Sequence, residues 1–173
     1  MTRNLRACQL GDAFWAYACL KWIYVKKGLS QKASASLIDL LASKDFQLYL
    51  CRKFKPEWLG GCFDGNKVQN SHDLSQIFEA RLTELSDDDF DNAMNLVFGL
   101  LDQAFCSINL KSVQRLLTTT VNSGRWHYQK EACGTVHASH RSKDLHGTGT
   151  SEGRARFNAV FTHWFPPVTV EQT

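Results

Sequence analysis

Hydrophobic residues between positions 86 and 105 recur at three- and four-residue spacing, a pattern that predicts an amphipathic helix. Ser86 is predicted to cap this helix and to form a capping box with Asp89. The three aspartates at 87–89 also place negative charge at the positive end of the helix dipole. Such a helix is typical of ordinary core packing and does not by itself indicate a function. Its predicted buried face consists of Phe90, Met94, Val97, Phe98, Leu101 and Phe105.

The same spacing predicts further helices over residues 10–27, 30–54, 71–85, 109–121 and 154–165. The first of these is expected to end at Gly28, since glycine is the residue that most often follows a helix. Within the second, Phe46, Leu48 and Leu50 alternate as in a strand, but the helical register of the neighbouring leucines favours a helix that restarts at Ser43.

Two segments lack this periodicity. Residues 56–72 contain Gly-Gly and Asp-Gly pairs, which predict a loop or a small hairpin. Residues 125–153 contain four of the six histidines and four glycines, so we interpret them as a loop, an active segment or a flexible linker. The predicted fold is all-α. It is a single-domain helical bundle of five or six helices, with the bundle over 1–124, the polar segment over 125–153, and a final helix and tail over 154–173.

Charge is distributed unevenly along the 173 residues, although the net charge is only +3. Residues 1–60 carry ten Lys/Arg against four Asp/Glu, residues 61–120 carry four against nine, and residues 121–173 carry six against four. This asymmetry is typical of proteins that dock an acidic partner or a phosphate backbone, and ordinary solvated faces also produce it.

The six cysteines, at 8, 19, 51, 62, 106 and 133, form no Cys-x-x-Cys pair, and we interpret them as buried, reduced thiols. This favours a cytoplasmic protein. The uncharged run 13–20 is too short for a secretory signal or a membrane span, so no membrane association is expected.

One candidate metal site lies in the polar segment. On a helix, Cys133, His137 and His140 would occupy positions i, i+4 and i+7 of one face, a ligand set that suits Zn²⁺. The fourth ligand would be His127, His146 or water. The alternative is that these are solvated side chains, and no cofactor is then expected.

The run from Arg141 to Gly147 supplies a second candidate. It resembles the R-x4-H-G signature of HEPN ribonucleases and of abortive-infection proteins that carry this domain. Ser142 stands where the family usually has Asn or Asp, and Asp144 stands where it usually has an apolar residue. The resemblance implies an all-helical bundle, usually a homodimer. It also implies that Arg141 holds the scissile phosphate while His146 moves the 2′-hydroxyl proton, without a metal.

The third candidate is a glycine-rich turn over 147–153, which precedes Arg154 and Arg156. Its backbone N–H groups, these arginines and Lys143 are candidate phosphate-binding groups. The turn lacks the Gly-Lys-Ser/Thr ending of a P-loop, so nucleotide hydrolysis is not expected. A mobile linker is the alternative interpretation.

These observations favour a non-enzymatic protein that binds a macromolecular partner, either a protein or RNA, in a regulatory, inhibitory or defence-associated role. They include no strong catalytic motif. The alternative function is a metal-independent ribonuclease that uses Arg141 and His146.

Overall fold

The computed structural model describes residues 5–59, 71–121 and 125–168. The chain is mostly helical, but it also contains a three-stranded antiparallel sheet, so the prediction of a purely all-α fold is wrong in this respect. The described residues divide into two compact units, one formed by those up to Ser107 together with Val168, and the other by those within Ile108–Pro167. The predicted helical bundle ends at residue 124, whereas the structure groups the helix before that residue with the sheet.

The first unit is helical throughout its described residues. Its elements are α1 (Leu5–Lys21), a π-helical turn (Trp22–Lys26), α2 (Gln31–Ala42), α3 (Lys44–Phe54), a 3-10 turn (Pro56–Leu59), α4 (Ser71–Asp88) and α5 (Phe90–Ala104). Gly28 has a φ of 63°, and the Ser43 hydroxyl accepts a hydrogen bond from the Phe46 N–H at 3.3 Å. The predicted helix end and helix restart are both confirmed. Most of the predicted loop at 56–72 lies outside the described residues.

Aromatic side chains form much of the core of this unit. Trp15 and Phe78 pack edge to face with ring centroids 5.2 Å apart, which joins α1 to α4. The Trp15 indole N–H donates to the Leu41 carbonyl at 2.9 Å, so its polar atom is satisfied although the ring is buried. Gly11 of α1 lies directly against the Glu79 backbone of α4, and this close approach is possible only without a side chain.

The predicted helix at 86–105 begins later than expected. α4 continues to Asp88, and the Asp89 carboxylate caps α5 by accepting the Asn92 N–H at 3.0 Å. The Ser86 hydroxyl instead donates to the Thr83 carbonyl, so the predicted capping box is wrong. Met94, Val97, Leu101 and Phe105 of the predicted face are buried, whereas Phe90 is 48% exposed and Phe98 is half-buried. The residues of α5 that are buried are Ala93, Met94, Val97, Leu100, Leu101 and Ala104.

Asp102 of α5 receives three donors from the end of the first helical segment. Lys26 Nζ lies 2.5 Å and Lys27 Nζ 2.8 Å from its carboxylate oxygens, and the Trp22 indole N–H donates at 3.0 Å. Desolvation acts to raise the pKa of Asp102, but these hydrogen bonds outweigh it and lower the pKa from 3.8 to about 2.

Asp102→Asn is therefore expected to lower the free energy of unfolding by about 1 kcal/mol at neutral pH, a value reduced for the partial exposure of the carboxylate. A lowered carboxyl pKa stabilises the fold above the unfolded-state pKa. This stabilisation is lost as the pH falls towards 2. Urea unfolding of both proteins across this range should show the difference shrinking with acidity. A difference that does not depend on pH would contradict the role of the charge.

The second unit combines two helices with the sheet. Its elements are α6 (Leu110–Val121), β1 (Trp126–Lys130), β2 (Val136–His140), β3 (His146–Gly149) and α7 (Glu152–Trp164). The Asn109 side chain caps α6 by accepting the Lys111 and Ser112 N–H groups, and Ser151 caps α7. The predicted helices at 109–121 and 154–165 are confirmed, while the segment interpreted as a loop or linker forms the sheet.

The strands follow one another in the order β1, β2, β3, and α7 packs against β2 and β3. The side chains of Val136, Ala138 and His140 are buried on this covered face. Gly147 of β3 lies directly against the α7 backbone at Ala155 and Ala159. The absence of a side chain at this position lets the helix approach the sheet closely.

The thiols have two kinds of environment. Cys8, Cys19 and Cys51 are buried, and burial raises the pKa of Cys51 to about 12. Cys106 and Cys133 are exposed, so the prediction of uniformly buried cysteines is wrong for these two. Cys62 lies outside the described residues. Within the described ranges, no helix is both long and apolar enough to cross a membrane.

Candidate functional site

The candidate site is the face of the sheet opposite α7, which we call the open face. Strand pairing sets Ser139 of β2 directly between His127 of β1 and His146 of β3. Side chains alternate between the two faces of a strand, so these three residues share the open face and form one cross-strand row. Both histidines are exposed and Ser139 is half-buried. We call this set the histidine row.

A second row lies beside the first. Here His137 of β2 is flanked by Gln129 of β1 and Thr148 of β3. His137 is half-buried, while its two neighbours are exposed. The open face therefore presents imidazole, hydroxyl and amide groups, all of which form hydrogen bonds, over two successive rows.

Positive charge is concentrated next to the histidine row. The Arg141 N–H donates to the Arg125 carbonyl at 2.8 Å, which extends the pairing of β1 and β2 by one position. These two arginines thus lie opposite each other at the end of the strands, and Lys143 follows in the turn to β3. All three side chains are exposed. The whole second unit has eight Lys/Arg against three Asp/Glu, so its net charge is +5.

Two carboxylates contact histidines of the open face. Asp144 Oδ1 lies 3.1 Å from His146 Nε2, and Glu131 Oε1 lies 2.8 Å from His137 Nε2. Hydrogen bonds from Cys133 and His137 lower the pKa of Glu131. A carboxylate on one ring nitrogen orients the imidazole.

His140 belongs to the covered face. Its ring packs edge to face against Trp126 with centroids 5.1 Å apart, and Nδ1 accepts the Ser142 N–H at 3.3 Å. Burial, followed by the charges of Lys143 and Arg125, lowers the pKa of His140 and favours its neutral form. His140 is a packing residue of the sheet.

The structure corrects the proposed zinc arrangement of Cys133, His137 and His140. These residues lie on β2 and the turn before it, where residues three apart point to opposite faces, and not on a helix. His137 is therefore on the open face and His140 on the covered face. In the parts of the chain that the structure describes, no group of three or more His, Cys, Asp or Glu side chains is placed to hold a metal ion.

The proposed phosphate-binding residues are also separated. Lys143 precedes β3, whereas Arg154 and Arg156 follow it in α7. The Arg154 guanidinium lies over the Phe157 ring at 5.4 Å, and that of Arg156 lies over the Tyr128 ring at 5.9 Å. Of these three, only Lys143 joins the basic end of the open face.

Arg141 and His146, by contrast, belong to one hairpin, since Arg141 directly follows β2 and His146 begins β3. The HEPN resemblance implies a helical setting for both, but Arg141 lies in a turn and His146 in a strand. Comparison with known families and proteins adds no assignment, since no family model and no curated protein matches this chain.

No pattern in the sequence predicted that His127 and Ser139 form one site with His146. The sequence signal for these strands is the alternation of apolar and polar residues over 126–129 and 136–139, which is the pattern of a half-buried strand. Each strand has only five residues, so this pattern is short. The position of His127 next to His146 depends on the pairing register and not on any local motif.

Proposed function

We propose that this protein binds single-stranded RNA on the open face of the sheet. The observation that carries the proposal is the histidine row beside the basic pair Arg125 and Arg141. Guanidinium groups hold phosphates, imidazoles stack on unpaired bases, and hydroxyl or amide groups bond to base edges and to the 2′-hydroxyl. An open sheet face with such groups is suited to nucleotides that are spread out rather than stacked in a duplex.

The composition of the open face favours RNA over a protein partner. Protein interfaces draw most of their binding energy from large aromatic anchors and arginines in desolvated pockets. The two rows of the open face contain His, Ser, Gln and Thr and no large apolar residue. The net charge of +5 on this unit further supports attraction to a polyanion.

Fluorescence anisotropy with a labelled single-stranded RNA of mixed sequence tests this function. The double variant Arg141→Gln and Lys143→Gln is expected to weaken binding on the order of tenfold, because it removes two phosphate contacts. The slope of log K against log salt concentration should fall by about 1.4. The matched control is Lys111→Gln, which removes an exposed charge from α6 of the same unit.

Equal loss of affinity in the control and the double variant would show a general charge effect and contradict a site on the open face. Absence of RNA binding by the parent protein would overturn the proposed function. DNA of the same sequence serves as a competitor, and equal competition would show that the 2′-hydroxyl is not read.

A metal-independent ribonuclease that uses Arg141 and His146 is the second candidate function. The observation in its favour is that both side chains are exposed at the same end of the β2–β3 hairpin. RNA cleavage that persists in chelator and is lost in either Arg141→Ala or His146→Ala would support it.

A further inference from the structure

We infer that the histidine row is a catalytic site that cleaves bound RNA, with His127 as general base and His146 as general acid. This inference rests on the proposed RNA binding and adds an activity to it. It differs from the arginine and histidine pair of the second candidate function, because the two proton-transfer groups are histidines on the two outer strands.

The spacing of the strands suits this reaction. Neighbouring strands lie about 4.8 Å apart, so the backbones at His127 and His146 are separated by about 9.5 Å across Ser139. In-line attack on phosphorus aligns the attacking oxygen, the phosphorus and the leaving oxygen. With a hydrogen bond of about 2.8 Å at each end, this line spans about 9 Å between two ring nitrogens. A phosphodiester therefore fits between the two imidazoles, above Ser139.

The reaction needs only groups that are present on this face. His127 Nε2 or Nδ1 removes the proton of the ribose 2′-hydroxyl, and the 2′-oxygen forms a new bond to phosphorus. The bond from phosphorus to the 5′-oxygen breaks, and His146 gives its proton to that oxygen. The products are a 2′,3′-cyclic phosphate and a free 5′-hydroxyl. Neither a metal nor an oxidant or reductant enters the balance.

The surrounding charges assign the roles. Asp144 lies 3.1 Å from His146 Nε2 and orients this ring, which leaves Nδ1 to face the leaving oxygen, so we assign His146 as the acid. Ser139 lies between the two histidines in the strand register, so its hydroxyl can donate to a non-bridging oxygen. Arg125 and Arg141 lie next to the row, where their positive charge would stabilise the negative charge that develops on the phosphorane. His137 in the neighbouring row faces Glu131.

The test uses the full-length chain and a labelled single-stranded RNA of mixed sequence. His127→Asn and His146→Asn are each expected to slow cleavage by about 100-fold or more, since each removes one proton-transfer group. The control is His163→Asn, which makes the same chemical change at an exposed site on α7. The parent protein should release a 2′,3′-cyclic phosphate, and its rate should show a bell-shaped dependence on pH.

A 2′-O-methyl RNA of the same sequence, which lacks the attacking hydroxyl, separates binding from cleavage. Both histidine variants are expected to bind it only a few-fold more weakly than the parent, because each loses one stacking group and keeps the basic residues, so the roughly 100-fold loss of cleavage exceeds the loss of binding. If the parent binds this RNA but leaves the ordinary RNA intact, the catalytic inference is overturned and the binding function stands. If the parent binds neither RNA, both are overturned. Cleavage that survives His127→Asn but is lost in Arg141→Ala overturns the histidine pair in favour of the arginine and histidine pair.

Discussion

Gly11→Ala is expected to destabilise the first unit by on the order of 3 kcal/mol, because overpacking at a rigid contact forces backbone shifts. A Cβ atom at this position would overlap the Glu79 carbonyl group and lie 2.9 Å from the Glu79 Cα. Backbone atoms cannot rotate away as a side chain can, so α1 and α4 would have to separate. The separation would disturb the packing of Trp15 against Phe78 and the contact of Lys44 with Glu79.

Gly99→Ala in α5 is the matched control. Among the residues that the structure describes, no atom outside its local helix lies within 4 Å of the Cβ position. Alanine also has the higher helix propensity, so this variant should gain about 0.5–1 kcal/mol. Urea unfolding followed by far-UV circular dichroism measures both changes. Hydrogen exchange of the α1 amides then locates the loss. A Gly11→Ala protein as stable as Gly99→Ala would show that the close packing of α1 on α4 is wrong.

Gly147→Ala is expected to weaken the second unit by a similar amount, on the order of 3 kcal/mol. The added methyl group would lie between β3 and α7 and overlap the Ala155 carbonyl and the Ala159 backbone. The Ala159 Cα would be only 2.8 Å away. α7 would have to move away from β3. Faster hydrogen exchange in α7 and β3 is the measurement that reports on this unit alone.

Gly153→Ala provides the control on the same helix. It has open space around its Cβ position and lies in the first turn of α7, so alanine there should be neutral or stabilising. If the proposed RNA site is correct, Gly147→Ala also reduces RNA affinity, because α7 supports the sheet that carries the histidine row. Unchanged exchange in α7 would contradict the close approach of helix and sheet.

Local signals in the sequence predicted the helices well, because caps and helical periodicity act within a few residues. Ser43 and Asn109 begin helices as expected, and Gly28 ends one. The error at Ser86 has a local cause as well. Ser86 and Asp89 lie three residues apart, and both are residue types that cap helices. Because α4 continues to Asp88, Asp89 is the residue that caps α5.

The sequence by itself determined the helices, the basic character of 121–173 and the residue types available for chemistry. The tertiary structure decided that 126–149 forms a sheet and that α7 covers only one of its faces. It also separated His137 from His140 and set Ser139 between His127 and His146. The physical reason is range: a cap or a helical turn joins residues up to four apart, whereas strand pairing joins distant residues through a register that no single strand specifies.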